Sequence, residues 1–168
     1  MATPRRPFLL SAAGLPIACA RSAPAEGPRA DLAAAATRIA AQPATGPVAV
    51  AALPLEVDGS ANAPLDLGYL FVERSGQPAR IVRWAWVFRA ADGTQYAEVI
   101  GPQYTSSGPA LAPRATLRWS ARVLLDAGIV AAAHRRGESS VTVVTEFDGI
   151  DSAGAAFSTE AHHTVRFR

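Results

Sequence analysis

Three tryptophans, three histidines and a group of acids are the side chains of this sequence with the most chemistry to offer. Trp84, Trp86 and Trp119 could stack on sugar rings or anchor a partner. Strand-like alternation, however, puts Trp84 and Trp86 on one face with Val82 and Phe88, and sets Trp119 in register with Leu117 and Val123. A face that apolar has to be buried. The three indoles therefore read first as sandwich core, with one of them reaching the rim.

The histidines are His134, His162 and His163. A metal site needs two or three imidazoles or carboxylates that converge. His162 and His163 are neighbours on a strand, so they point to opposite faces and do not chelate one ion together. His162 shares its face with Glu160, and a His-His-Glu site would require the segment carrying His134 to fold over them. Solvated or internally satisfied histidines are the plainer reading.

Asp148 and Asp151, with Glu146 and Glu160 nearby, surround a turn-rich segment from Gly149 to Gly154. Acidic loops can hold calcium through carboxylates and carbonyls, but this spacing matches no EF-hand, and aspartate also serves a tight turn. Nucleophilic catalysis has less support. The sequence contains no G-x-S-x-G elbow, no P-loop and no H-E-x-x-H pair. Ser152 lies beside Asp151 without a histidine placed to serve it. No cofactor and no catalytic residue is expected.

One further pattern concerns binding. Arg83 and Arg89 alternate with Ile81, Ala85 and Val87 on the face of the strand opposite Trp84 and Trp86. A mixed face of this kind suits a docking surface made of Arg83, Val87 and Arg89. The plainer alternative is that the arginine stems lie across the sheet with their heads in water.

The elements that must position these groups follow from periodicity. From Pro47 onward the apolar period is two. Val48 to Ala52 and Leu53 to Val57 read as short edge segments, the second weakened by Pro54. Leu65, Leu67, Tyr69, Phe71 and Glu73 share one face of the next strand. The Trp84 strand follows, then a turn at Ala91-Asp92-Gly93 and a returning strand from Thr94 to Ile100. Ala115 to Val123 alternates cleanly. Leu124 to Arg136 reads as a short helix or a crossover loop. The last hairpin turns Val141, Val143, Thr145 and Phe147 inward on one arm, with Phe157, Thr159, Ala161, His163, Val165 and Phe167 on the other. About seven strands in residues 47–168, spaced by turn residues, predict an antiparallel immunoglobulin-like β-sandwich, with a barrel as the second choice.

Residues 21–46 differ in composition, being dominated by Ala and Pro. They read as a flexible linker. One part could be helical, with Asp31 as cap, Leu32 to Gln42 as body and Pro43 as stop. Its large apolar side chains are Leu32 and Ile39, so such a helix has little to bury.

Residues 1–20 read as an export signal peptide. Arg5 and Arg6 precede an apolar run from Phe8 to Ala18, and Ala18-Cys19-Ala20 supplies small residues for cleavage. The segment from Pro4 to Leu10, with Arg5, Arg6 and Phe8, resembles a bacterial twin-arginine signal, and that resemblance implies export in the folded state. Leu15 to Cys19 also resembles a lipoprotein lipobox, except that Pro16 stands where Leu is usual. Cys19 is therefore either lipidated or removed with the signal.

Charge is consistent with this reading. All 16 basic residues are Arg, and removing Arg5 and Arg6 leaves 14 against 14 acids. That neutrality, with arginines scattered along the strands, argues against nucleic acid. The sequence thus predicts an exported protein, periplasmic or lipid-anchored through Cys19. Its β-sandwich is expected to be a structural or protein-interaction module with an envelope protein as partner. The alternative is a glycan- or metal-binding module, and a small secreted hydrolase is the third choice.

Overall fold

The computed structural model describes residues 29–43, 45–55, 58–59, 61–101 and 108–167. The expected signal peptide, with Arg5, Arg6, Phe8 and Cys19, lies outside these residues.

Among the described residues, two helices and nine strand segments follow in chain order. They are α1 (Arg29–Ala41), β1 (Val48–Ala52), β2 (Asp58–Gly59), β3 (Pro64–Glu73), β4 (Ala79–Arg89), β5 (Gln95–Ile100), β6 (Ala110–Leu111), β7 (Thr116–Leu124), α2 (Ala127–Arg135), β8 (Ser140–Asp151) and β9 (Ala156–Phe167). The fold is all-β. One sheet has the order β1-β3-β7, the other β2-β9-β8-β4-β5, with β6 pairing the start of β4. Every ladder is antiparallel except the short parallel pairing of β2 with the end of β9. The order β1-β3-β7 faces β9-β8-β4-β5 in a sandwich of two sheets, with Trp84 and Trp86 of β4 in the core between them.

Alternation built this core as expected along β3, β7, β8 and β9. Leu65, Leu67, Tyr69 and Phe71 meet Val141, Val143, Phe147, Val165 and Phe167 between the sheets. T-shaped or tilted contacts tie every pair among Tyr69, Phe71, Trp119 and Phe147 together, a geometry that suits ring quadrupoles.

The pairing register of β4 shifts at two places, between Phe88 and Arg89 against β5 and between Ile81 and Arg83 against β8, and the second changes which face is buried. In the β4–β8 ladder, Ile81 pairs with Gly149 and Arg83 with Asp148, so Val82 is an extra residue on β4. This bulge reverses the alternation N-terminal to it. Ile81 is therefore buried beside Trp84 and Phe88, and Val82, expected on that face, is only partly buried.

Two elements were ambiguous in the sequence. The Leu124 to Arg136 segment contains a helix, α2, whose Asp126 cap accepts from the Gly128 N–H at 2.6 Å and whose Ile129, Val130 and Ala133 are buried. Residues 29–41 form α1 and are not a free spacer. Ala35 and Ile39 pack onto Ala49, Ala51, Leu53 and Leu70, the outer face of the three-stranded sheet. A helix this poor in large apolar groups is marginal alone. Here Arg74, which follows β3, donates to the carbonyls of Ile39 and Pro43 and so satisfies the C-terminal end of the helix.

Candidate functional site

A long groove of about 750 Å³ runs along the seam where β1 and β9 approach each other. α1 and the residue after it form one shoulder through Arg38 and Gln42. β1 supplies Val48 to Ala52, the following loop supplies Leu53 to Leu55, and β9 supplies Ser158 to Thr164.

β1 is the edge strand of its sheet, and its hydrogen-bonding groups divide by parity. Pro47 O accepts from Arg74 N, and Leu53 N donates to Gly68 O, so the odd-numbered residues face β3. Val48, Val50 and Ala52 consequently present their N–H and C=O groups to the groove. Two of those carbonyls are taken by side chains from the α1 segment. Gln42 Nε2 donates to Val50 O at 2.8 Å, and Arg38 donates to Ala52 O at 2.8 Å.

Across the seam, β9 places its two adjacent histidines on opposite faces, as the strand geometry requires. His162 is exposed and 3.1 Å from Glu160 on the same strand. His163 is buried, only 3% exposed, and stacks edge-on against Tyr69 with ring centroids 5.1 Å apart. Its Nε2–H donates to Gly68 O at 3.0 Å, which leaves Nδ1 as a buried nitrogen without a partner among the described residues. Burial pulls this imidazole down to about 4, against the opposing effect of the carbonyl it bonds, so it is neutral at pH 7.

Behind His163 runs a buried polar chain. Trp86 Nε1–H donates to Tyr69 Oη at 3.2 Å, and Tyr69 Oη shares a hydrogen bond of 2.8 Å with Thr145 Oγ1. Burial pushes the Tyr69 hydroxyl up to about 12, although both partners oppose the shift. A neutral phenol with both partners in place is a structural bond and not a poised acid.

The other candidates are dispersed. Trp84 and Trp86 are 5% and 4% exposed, so neither offers the open face that the alternative glycan reading needs; Trp119 is partly buried, 5.0 Å from the Trp84 ring. Val87 is buried too, as is its neighbour Ala85. The expected docking face therefore reduces to Arg83 and Arg89. Arg83 pairs with Asp148 at 3.0 Å, and Arg89 reaches the Gly93 carbonyl at 3.4 Å. The Arg83 side chain is 44% exposed, and Arg89 is partly buried.

The acids are likewise engaged in local structure. Asp151 accepts from the N–H groups of Ala153 and Ala155 and so closes the β8–β9 turn, while Asp148 also accepts from Ser158 Oγ. Among the described residues, no three His, Cys, Asp or Glu groups converge to hold a metal ion. Ser152 Oγ donates to Gln77 Oε1 at 3.4 Å, and no hydrogen bond joins it to a histidine among the described residues.

Sequence reasoning missed the groove. Its walls are backbone and small side chains from segments far apart in the chain. The one available signal was the uncharged Val48 to Ala52 run behind Pro47, which marks an edge strand but not what covers it.

No family model matches this chain, and no curated protein matches it. Several solved structures are similar. A protein from Bordetella pertussis provisionally named ApaA is 16% identical, covering 71% of this chain and 93% of its own, with a TM-score of 0.48. A structural-genomics target designated SoR45 is 13% identical over 71% of this chain and 83% of its own, with a TM-score of 0.44. A protein from Archaeoglobus fulgidus is 12% identical over 72% and 97%, with a TM-score of 0.39.

Proposed function

We propose that this chain is an exported envelope protein whose sandwich is a protein-interaction module that receives its partner along the β1–β9 seam. The observation that carries this reading is the composition of the groove. Its walls are the strands β1 and β9, and it offers backbone groups, small polar side chains and arginine heads. That is the chemistry by which an extended segment of another protein is recognised. A sugar platform would need an exposed aromatic face; Trp84 and Trp86 have none, and Trp119 is partly buried. A hydrolase would need a nucleophile and its base within reach of each other.

Export remains part of the proposal, carried by the Arg5-Arg6 segment and by Cys19. Fractionation of cells expressing the tagged chain tests it. The expected result is an envelope location that becomes cytoplasmic in an Arg5→Lys/Arg6→Lys variant, and a cytoplasmic parent chain would overturn it.

The binding reading is tested by screening the protein against a displayed library of extended peptides, in parallel with thermal unfolding against envelope glycans, calcium and zinc. The expected outcome is a family of peptides whose cross-links map to residues 48–55 and 158–164. A midpoint shift of several degrees with a glycan or metal, and no peptide selected, would replace this reading with the alternative.

A further inference from the structure

The charges along the β1–β9 groove are unevenly matched. Arg38, which is exposed, and Arg74, which is half-buried, both line it. Arg38 donates to Ala52 O, and Arg74 donates to the carbonyls of Ile39 and Pro43, so both guanidinium groups rest on neutral acceptors. Among the described residues, no carboxylate lies within salt-bridge distance of either. Glu73, the neighbour of Arg74 in sequence, is buried and taken by the N–H groups of Ser75, Gly76 and Arg114. Glu160 is the one acid among the described lining residues. It belongs to the opposite wall and lies 3.1 Å from His162.

The two arginines are also spaced by the strand they flank. Arg38 is held at Ala52, while the Arg74 N–H donates to Pro47 O and Glu73 pairs with Val48. Positions 48 and 52 of an extended strand are about 13 Å apart. Between them Gln42 donates to Val50 O. A segment laid along β1 repeats this interval, and its side chains four residues apart share one face. Its N–H groups can take over Val50 O and Ala52 O from Gln42 and Arg38, as a strand added to a sheet edge does. Arg38 then exchanges a neutral carbonyl for whatever the segment brings. A carboxylate is the stronger acceptor and matches the guanidinium fork.

We propose that the segment received by this groove is acidic, with two carboxylate side chains four residues apart that pair with Arg38 and Arg74. The proposal rests on the interaction-module reading and specifies the chemistry of the partner. Complementary charge selects the partner and fixes its register. A basic segment meets two like charges beside β1 and is rejected.

The experiment divides a displayed library of extended peptides into pools that differ only at two positions four residues apart, fixed as glutamate, glutamine or lysine. A further pool sets the two glutamates side by side. Selected peptides are cross-linked to the full chain and their affinities compared by fluorescence anisotropy. Spaced-glutamate peptides should bind about tenfold tighter than their glutamine counterparts, as two partly exposed ion pairs allow. The lysine pool should bind most weakly. Arg38→Gln, which keeps a donor for Ala52 O, should cost the glutamate peptides about threefold and leave the glutamine peptides unchanged. Arg38→Glu should improve binding of the lysine peptides. Glutamate and glutamine peptides that cross-link to residues 48–55 with equal affinity would overturn the acidic assignment and leave the interaction module standing. Indifference to the spacing of the glutamates would overturn it too, since net charge alone would then explain the preference. If no pool yields a peptide that cross-links there, the interaction-module reading fails as well.

Discussion

His163 Nε2 donates a 3.0 Å hydrogen bond to Gly68 O, joining β9 of one sheet to β3 of the other across 95 positions of sequence. The bond fixes the tautomer of a buried imidazole, and with it the response of the fold to acid.

Burial holds the folded imidazole at about 4, below its ordinary 6.5. Between these values the unfolded chain binds the proton and the folded chain does not, so stability is complete above pH 6.5 and falls as the pH drops toward 4. The loss is on the order of 3 kcal/mol across that window. Urea midpoints measured between pH 7 and pH 5 should decline in the parent and stay nearly flat in His163→Phe, which keeps a ring against Tyr69. An equal decline in both would place the titrating group elsewhere.

Glu73 behaves in the opposite chemical sense. It is buried at the end of β3, and although desolvation alone would raise its carboxyl, bonds from Ser75, Gly76 N and Arg114 N bring it down to about 2. It thereby clamps the β3–β4 turn to the turn entering β7. A depressed carboxylate stabilises above its unfolded value of 4.5 and loses that contribution as the pH falls toward 2. Glu73→Gln should cost about 2–3 kcal/mol at pH 7 and roughly half of that at pH 3, read by chemical unfolding.

Tyr69 should be intolerant of losing only its hydroxyl. Tyr69→Phe strands both Thr145 Oγ1 and the Trp86 N–H in the core, at about 1–3 kcal/mol. Thr145→Val in the same background should cost less than it does alone, because one orphan is then removed. A double-mutant cycle that is additive within about 0.3–0.5 kcal/mol would show that the chain of bonds carries no coupling.

Gly149 and Phe157 face each other across the β8–β9 ladder, and the phenyl ring lies over the glycine. A Cβ at residue 149 would sit 2.2 Å from Phe157 Cζ. Gly149→Ala should therefore cost about 1–3 kcal/mol by forcing the ring aside. In a Phe157→Ala background the same change should be close to neutral, as thermal unfolding would show.

The alternation of Leu65, Leu67, Tyr69 and Phe71, and of Val141, Val143, Thr145 and Phe147, makes their inward face legible from residue order alone. A strand has period two whatever it packs against. The same rule correctly separated His162 from His163. It misplaced Ile81 and Val82 because a bulge depends on the partner strand, and nothing local in Arg80 to Arg83 records that Gly149 and Asp148 will be neighbours across the ladder. Arg83, Val87 and Arg89 were legible as a face. That Ala85 and Val87 would be covered within it was not, since burial there depends on the strands β5 and β8 alongside.

The sequence by itself determined the class of the fold, the strands and most of their inward residues, because side-chain alternation and turn chemistry are local. Tertiary structure alone decided that the Ala-rich stretch forms a helix docked on the sheet, that Arg38 and Gln42 cap the edge of β1, and that β1 and β9 enclose a groove. Those outcomes rest on contacts between separate elements, β1 and β9 lying near opposite ends of the domain's sequence. Their energy comes from shared burial and from backbone groups that every residue carries alike, so no residue type in the sequence announces them.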